Sequence, residues 1–495
     1  MMAFRSKTCT EWKNRAVFCF LHSTCSNDNL CYMPYDGETS GKASHSDIVR
    51  NPDVQAFLER CDYQTEPSDD EAEAIASRFS SPPVTEGGEL PGQVISVDGS
   101  LYESSIDERL PSTKVGYVKI GLVLFPMDQY EGLKEGRFVN PYKIAQLKDD
   151  SGSITFPLPS ANITWNGADS VRNGFRAAID QALSDERTRW VRDDPDTSLQ
   201  TTLFHLASRR SGELGTGDPN HLKLHLCPSC EEEEEVDVCD TREAQHCPHC
   251  GGEVYPSDCL RLWEEVNENQ SNRGALMRFM RVLEHLMIIH CIRFLRGISL
   301  DDLATTVFFT DGPLAVYGTS AWLHLSIMQY LDEVNAELED RGLSQVLIIG
   351  LQKSGRVADH VELVDRHLSP NSLYAIEDEY RYRYITPSRT PSQTGFGDET
   401  YYGQDFIFKT SSGRCFVMGI PYPFASKAVE DFHQIKTNSD LYSELPRALK
   451  VVEHFESSLH KNAVVPIALA HEHTAISLEP GGKVLDLLTK GALED

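Results

Sequence analysis

The sequence predicts an α/β protein: a mixed sheet flanked by helices, with a cysteine-bearing insertion and an N-terminal extension. Three observations carry that prediction. Two apolar stretches far apart in the chain, Val94-Ile95-Ser96-Val97 and Thr306-Val307-Phe308-Phe309-Thr310, each run into an Asp-Gly step, at Asp98-Gly99 and Asp311-Gly312. Helical periodicities alternate with such buried-strand runs from residue 93 onward. Two Cys-x-x-Cys pairs interrupt the alternation.

Residues 1–90 read as an N-terminal extension. Its later part, with Glu66-Pro67-Ser68-Asp69-Asp70-Glu71 and Ser80-Ser81-Pro82-Pro83, has the charge and turn formers of an acidic linker. Residues 91–495 read as one domain. A first strand ends at Asp98, where glycine lets the chain turn. A second strand covers 115–125 and a third 153–157, followed by helices at 168–184 and 199–208. The cysteine segment occupies 224–259. An apolar helix follows at 274–295, then a strand at 305–310 delivering Asp311. A helix at 320–339 and a buried strand at 345–350 come next, then strands at 406–409 and 415–420. Helices at 440–458 and 462–477 complete the pattern, and no internal repeat is present. Strand with Asp, strand, strand, helix, strand with Asp is the element order of an RNase H-like core. In that architecture carboxylates sit on the first strand, the first helix and the end of the fourth strand.

Composition narrows the function. With 40% hydrophobic and 24% charged residues over 495 positions, the chain is an ordinary globular protein with room for more than one domain. No apolar run approaches the roughly 18 residues of a membrane span, and Ala16-Val17-Phe18-Cys19-Phe20-Leu21 is too short for a signal segment. The expectation is a soluble cytoplasmic protein that does not engage membranes. Acidic residues outnumber basic ones 75 to 46, a net charge of −29, which argues against a free-standing DNA binder. DNA contact then needs a local basic groove or a partner that delivers the nucleic acid.

Cys227-Pro228-Ser229-Cys230 and Cys247-Pro248-His249-Cys250 place four thiolates around one tetrahedral site, the arrangement of a zinc ribbon. Such a site is closed and structural. Other cysteines read as small buried residues, and Glu231 to Glu235 as a solvated tip.

Asp98 alone reads more readily as a turn residue, whereas Asp311 is more telling, since Phe308-Phe309 make its strand fully buried and Pro313 stops it at once. Together, at the ends of buried strands, Asp98 and Asp311 read as ligands for a divalent cation. Glu284, in Leu283-Glu284-His285-Leu286, supplies a third carboxylate; its alternative is a surface pair with Arg281 worth a few tenths of a kcal/mol, roughly. Lys353, in Gly350-Leu351-Gln352-Lys353, leaves a buried strand where an ammonium can hold a scissile phosphate. In Ala470-His471-Glu472-His473 the two histidines fall on different helix faces, and His471 is the better ligand. Tyr380-Arg381-Tyr382-Arg383-Tyr384, with Arg389 beyond it, interleaves basic and aromatic residues. Read as a strand, it offers Arg381, Arg383 and Arg389 to nucleic acid or forms a protected sheet edge.

Val97-Asp98-Gly99-Ser100, Arg281-x-x-Glu284, Phe309-Thr310-Asp311-Gly312-Pro313-Leu314, Gly350-x-x-Lys353 and Ala470-His471 together resemble the NurA nuclease family, from about residue 93 to the C-terminus. The zinc ribbon and long N-terminal region are similar to a bacterial-type subfamily. The resemblance implies an RNase H-like fold, a toroidal homodimer, and DNA cleavage dependent on Mn2+ or Mg2+. It also implies work beside a HerA-type hexameric translocase ATPase, in DNA end processing or antiviral defence. By carry-over, Asp98, Glu284, Asp311 and His471 hold the catalytic metals in a two-metal hydrolysis, with Asp98 bridging. The other reading is a non-catalytic zinc-ribbon adaptor on a degenerate nuclease fold.

Overall fold

A computed structural model of the chain describes residues 50–61, 63–83, 90–132, 152–232, 235–241, 243–386, 395–457 and 463–475, together with the backbone of 134–135 and 138–139. Two compact units are distinguished, 1–63 and 64–495. In the first unit the described part is the short helix Pro52–Leu58, whose N-terminus is capped by Asn51 accepting from the Asp53 N–H at 2.9 Å.

The second unit is built on one eight-stranded sheet. Its strands are β1 (Gln93–Ser105), β2 (Lys114–Pro126), β3 (Gly152–Pro159), β4 (Thr306–Asp311), β5 (Leu347–Leu351), β6 (Ser372–Ala375), β7 (Gly403–Lys409) and β8 (Cys415–Pro421). They lie in the order β6-β7-β8-β5-β4-β1-β2-β3. β1, β4 and β5 run parallel and every other pairing is antiparallel. The segment β3-β2-β1-β4-β5 is the RNase H-like core that the element order predicts, and β8, β7 and β6 widen it. β4 and β5 are buried throughout apart from Asp311, as parallel strands covered on both faces must be.

Helices α1 (Val171–Ser184), α2 (Leu199–Ala207) and α3 (Arg273–Ile298) precede β4. α4 (Leu323–Asp340) links β4 to β5, α5 (Arg356–Val364) follows β5, and α6 (Leu445–Phe455) and α7 (Val465–Thr474) follow β8. Two glycines show which helix lies on which face. A Cβ at Gly99 would meet Met280 of α3, and a Cβ at Gly121 would meet Thr474 of α7 at 2.6 Å. Gly121 is paired with Asp98, and Asp98 and Gly99 point to opposite faces because side chains alternate along a strand. So α3 covers one face of β1 and β2 and α7 the other.

The start of α3 is fixed to β1. Glu103, whose side chain is 5% exposed, accepts from the Asn272 N–H at 2.9 Å and from the hydroxyls of Ser160 and Ser271 at 2.5 Å each. Burial alone would raise its pKa, but these hydrogen bonds and Lys114 hold the carboxyl below its usual range. The ribbon lies between α2 and α3. Its base is tied to α1 by Arg176, whose guanidinium makes two hydrogen bonds to Asp258 at 2.8 and 2.6 Å, with both side chains buried.

The structure corrects three expectations. β1 does not end at Asp98 but runs through it to Ser105; glycine is needed there for helix contact, not for a turn. The acidic stretch near 70 is not a linker where it is described. Ser68 and Glu71 form a capping box that starts a helix at Asp69–Ala76, and its Ile75 packs with Val361 and Tyr374. Residues 380–384 are not a strand either: Asp378–Tyr380 and Arg381–Ile385 form consecutive helical turns. α5 and β6 are additional elements that the sequence pattern left unmarked.

Candidate active site

Pairing between β1 and β4 stops at Val97 with Thr310, one residue short of both aspartates. Gly312, at φ +114°, turns the chain away there. β1 continues alone on that side, leaving a notch in the sheet that groups from both faces can reach. Asp98 and Asp311 stand at its mouth.

From the α7 side, the Asp98 carboxylate meets His471 Nδ1 at 3.0 Å and accepts from the Thr474 hydroxyl at 2.9 Å, both on Oδ2. The Asp98 hydrogen bond is the main cause that raises the His471 pKa above its ordinary value. His471 and Thr474 are three residues apart and share a helix face; Gly121 leaves the room that Thr474 occupies. His473 faces elsewhere and is half-buried.

From the α3 side comes Glu284, 1% exposed. Its Oε2 receives Arg281 Nη1 at 3.0 Å. Its Oε1 is buried with no hydrogen-bond partner among the described residues, and a Cβ on Gly99 would lie 2.9 Å from that oxygen. Burial pushes the Glu284 pKa up to about 8, opposed by Arg281 and assisted by Asp98 and Asp311. The Arg281–Glu284 contact is therefore not the surface pair of the alternative reading, since its carboxylate is fully desolvated.

Asp311 pairs with Lys353, Nζ to Oδ2 at 2.9 Å. Burial raises its pKa and Lys353 counters that effect. Arg281 also donates to the Asp311 backbone carbonyl at 3.1 Å.

The structure thus brings Asp98, Glu284, Asp311, His471 and Lys353 to one notch from five separate segments. Two further members lay outside the predicted set. Arg281 spans Glu284 and Asp311, and Thr474 holds Asp98. Their signal in the sequence is spacing: Arg281 stands three residues before Glu284, and Thr474 three after His471.

Three carboxylates and an imidazole are the donors expected for a hard, oxygen-preferring divalent ion such as Mg2+ or Mn2+. The buried, unpartnered Glu284 Oε1 fits such an ion, because an orphaned buried acceptor costs roughly 1–3 kcal/mol unless something binds it. The acidic ligand atoms do not converge on one point. Among the described residues, the one group of three or more Cys, His, Asp or Glu whose ligand atoms all lie within 4.8 Å of each other is Cys227, Cys230, Cys247 and Cys250. There the N–H groups of Ser229 and Gly252 point at Cys227 and Cys250 sulfurs at 3.4 and 3.3 Å, the backbone arrangement of paired metal knuckles.

Of the three arginines predicted to meet nucleic acid, Arg381 is buried, 2.8 Å from Asp405. It cannot present a strand face to DNA as expected, since the segment is helical. Arg383 is exposed, and Arg389 lies outside the described residues.

A family profile, the NurA domain, matches residues 92–476. No curated protein sequence matches the chain. Among solved structures, the NurA nuclease from Sulfolobus solfataricus aligns at 9% identity over 91% of this chain and 98% of that one, with a TM-score of 0.32. A second NurA structure aligns at 11% identity, 92% and 98% coverage and a TM-score of 0.25. A third, NurA with manganese, aligns at 11% identity, 91% and 98% coverage and a TM-score of 0.20.

Proposed function

The chain belongs to the NurA family, a family of nucleases, and from that premise we propose that it hydrolyses phosphodiester bonds of DNA with Mn2+ or Mg2+ bound at the β1–β4 notch. The observation that carries this reading is Glu284: a buried carboxylate beside two others, with one oxygen satisfied by Arg281 and the other by no group among the described residues. Asp98, Glu284, Asp311 and His471 are the ligands. A pair of ions bound there supplies water activation and stabilisation of the leaving oxygen.

The residues around the ions have distinct tasks. Thr474 and His471 fix the rotamer of Asp98. Arg281 holds Glu284 against the strand. Lys353, paired with Asp311, is placed to exchange that carboxylate for a substrate phosphate. The four cysteines take Zn2+ as a closed structural site.

The net charge of −29 supports a nuclease that receives DNA from a partner. We assign that role to a HerA-type hexameric ATPase, with this chain acting as a homodimer. No helix among the described residues is long and apolar enough to cross a membrane.

The test is a DNA degradation assay in Mn2+ with wild type, Asp98→Ala and Asp311→Ala. Cleavage by wild type and its loss in both variants is the expected result. Wild-type rates in either variant, or no cleavage by wild type with and without the ATPase, sink the reading and favour an adaptor role.

A further inference from the structure

Beside the notch, on the side of β5 and α5, lies a cleft of about 440 Å³ whose lining includes Arg281, Asp311, Tyr317, Arg356, Arg381 and Tyr401. It meets the metal-binding set through Asp311 and Arg281. Two features bear on what it can hold.

The first is its cations. Arg381 is 4% exposed and its guanidinium is held from behind by Asp405, which also receives the Gln352 amide at 2.8 Å. The Phe396 ring lies 4.0 Å from the guanidinium, and the Arg381 Nε is buried with no partner among the described residues. Arg356 is exposed at the first turn of α5, whose N-terminus has no side-chain cap. Arg281 completes the set. The second feature is an exposed aromatic face. Tyr317 is 42% exposed yet positioned, because its hydroxyl meets that of buried Tyr401 at 3.2 Å and the two rings stand edge to face.

We propose that this cleft is a subsite for one unpaired nucleotide flanking the scissile phosphate, with its base stacked on Tyr317 and its phosphate at Arg356 and the α5 N-terminus. Guanidinium groups beside an aromatic ring are the elements of sequence-independent single-strand recognition. The cleft has the size of a small-molecule site, so it takes a single nucleotide and not a base pair. The proposal rests on the nuclease reading of the notch.

The test measures binding and cleavage separately. Affinity for a single-stranded oligonucleotide is measured by anisotropy in Ca2+, for wild type, Tyr317→Ala and Arg356→Gln. A matched series of oligonucleotides carries one abasic residue, stepped along the strand from its end. Removing a stacking partner weakens binding about tenfold. The expected result is that Tyr317→Ala shows this loss on the intact strand. At one abasic position wild type shows the same loss, and there the two losses do not add. Arg356→Gln weakens all strands alike. Unchanged binding by Tyr317→Ala, or additive losses at every abasic position, overturns the subsite. Cleavage of the same strands in Mn2+ tells the two claims apart. Non-additive binding without any hydrolysis leaves the subsite and removes the nuclease reading, whereas hydrolysis with additive losses removes the subsite alone.

Discussion

The ribbon and the notch are both candidate metal centres, and they are built in opposite ways. The ribbon draws four identical ligands from 24 consecutive residues, Cys227 to Cys250, and its sulfurs already lie within 4.8 Å of one another. The notch draws its candidate ligands from β1, α3, β4 and α7. Its carboxylates stay apart, and each is held by a cation or hydroxyl: Asp98 by His471 and Thr474, Glu284 by Arg281, Asp311 by Lys353. A closed thiolate cage has no position for substrate. A spread set of acidic oxygens, balanced by movable cations, can exchange protein contacts for ions and phosphate.

The comparison breaks first at Asp98. Asp98→Asn is expected to slow Mn2+-dependent DNA hydrolysis on the order of a thousandfold, with four thiolates still holding one zinc by metal analysis. Zinc lost along with activity would show the two centres are not independent.

On the ribbon side, Arg176→Met leaves Asp258 buried without its cation. That costs about 3–5 kcal/mol of stability, read by denaturant unfolding, and zinc release accompanies it. Hydrolysis by molecules still folded should continue at the wild-type rate.

α3 carries a pH test that does not involve either centre. His290 is buried, meets Thr202 at 2.7 Å and the Thr188 carbonyl at 2.9 Å, and burial drives its pKa from 6.5 down to about 3. Because the folded pKa is depressed, the unfolded chain binds the proton first. The stabilisation is complete above pH 6.5 and fades as pH falls toward 3. At about 1.4 kcal/mol per unit, this is a few kcal/mol. His290→Asn should flatten the stability profile over that window, and an unchanged slope refutes the assignment.

How much of this was legible in the sequence differs between the two centres for the same reason. The cysteine spacing is local, so the ribbon could be read directly. The strands and helices around the notch were legible because buried β4 and β5 are unbroken apolar runs and α3 is apolar almost all round. The role of Gly99 was not. An Asp-Gly pair reads as a turn, yet β1 passes straight through it, and the glycine clears space for Glu284 from a helix some 185 residues away in sequence. The Arg381 segment failed similarly: alternation of Tyr and Arg suggests a strand, but burial against Asp405 on β7 favours a helical turn. Contacts of this range leave no periodic trace.

Gly99→Ala follows from that lesson. The added methyl lies 2.7 Å from Met280 Cγ as well as 2.9 Å from Glu284 Oε1, so α3 must shift. Overpacking of this kind costs about 1–3 kcal/mol, and activity should fall by more than stability does. A variant that is less stable but fully active would detach Glu284 from the notch. The smallest effect is expected at Lys353, half-exposed and replaceable by solvent cations. Lys353→Ala should lower hydrolysis about tenfold, one missing charge-assisted contact, with metal affinity retained.

The most direct measurement is calorimetric titration of Mn2+ into the zinc-loaded protein. Binding beyond the ribbon zinc, abolished by Asp98→Asn and by Glu284→Gln while zinc content and fold persist, is the predicted result. No binding beyond zinc, or Mn2+ binding indifferent to both substitutions, contradicts the assignment of the notch as the catalytic metal centre.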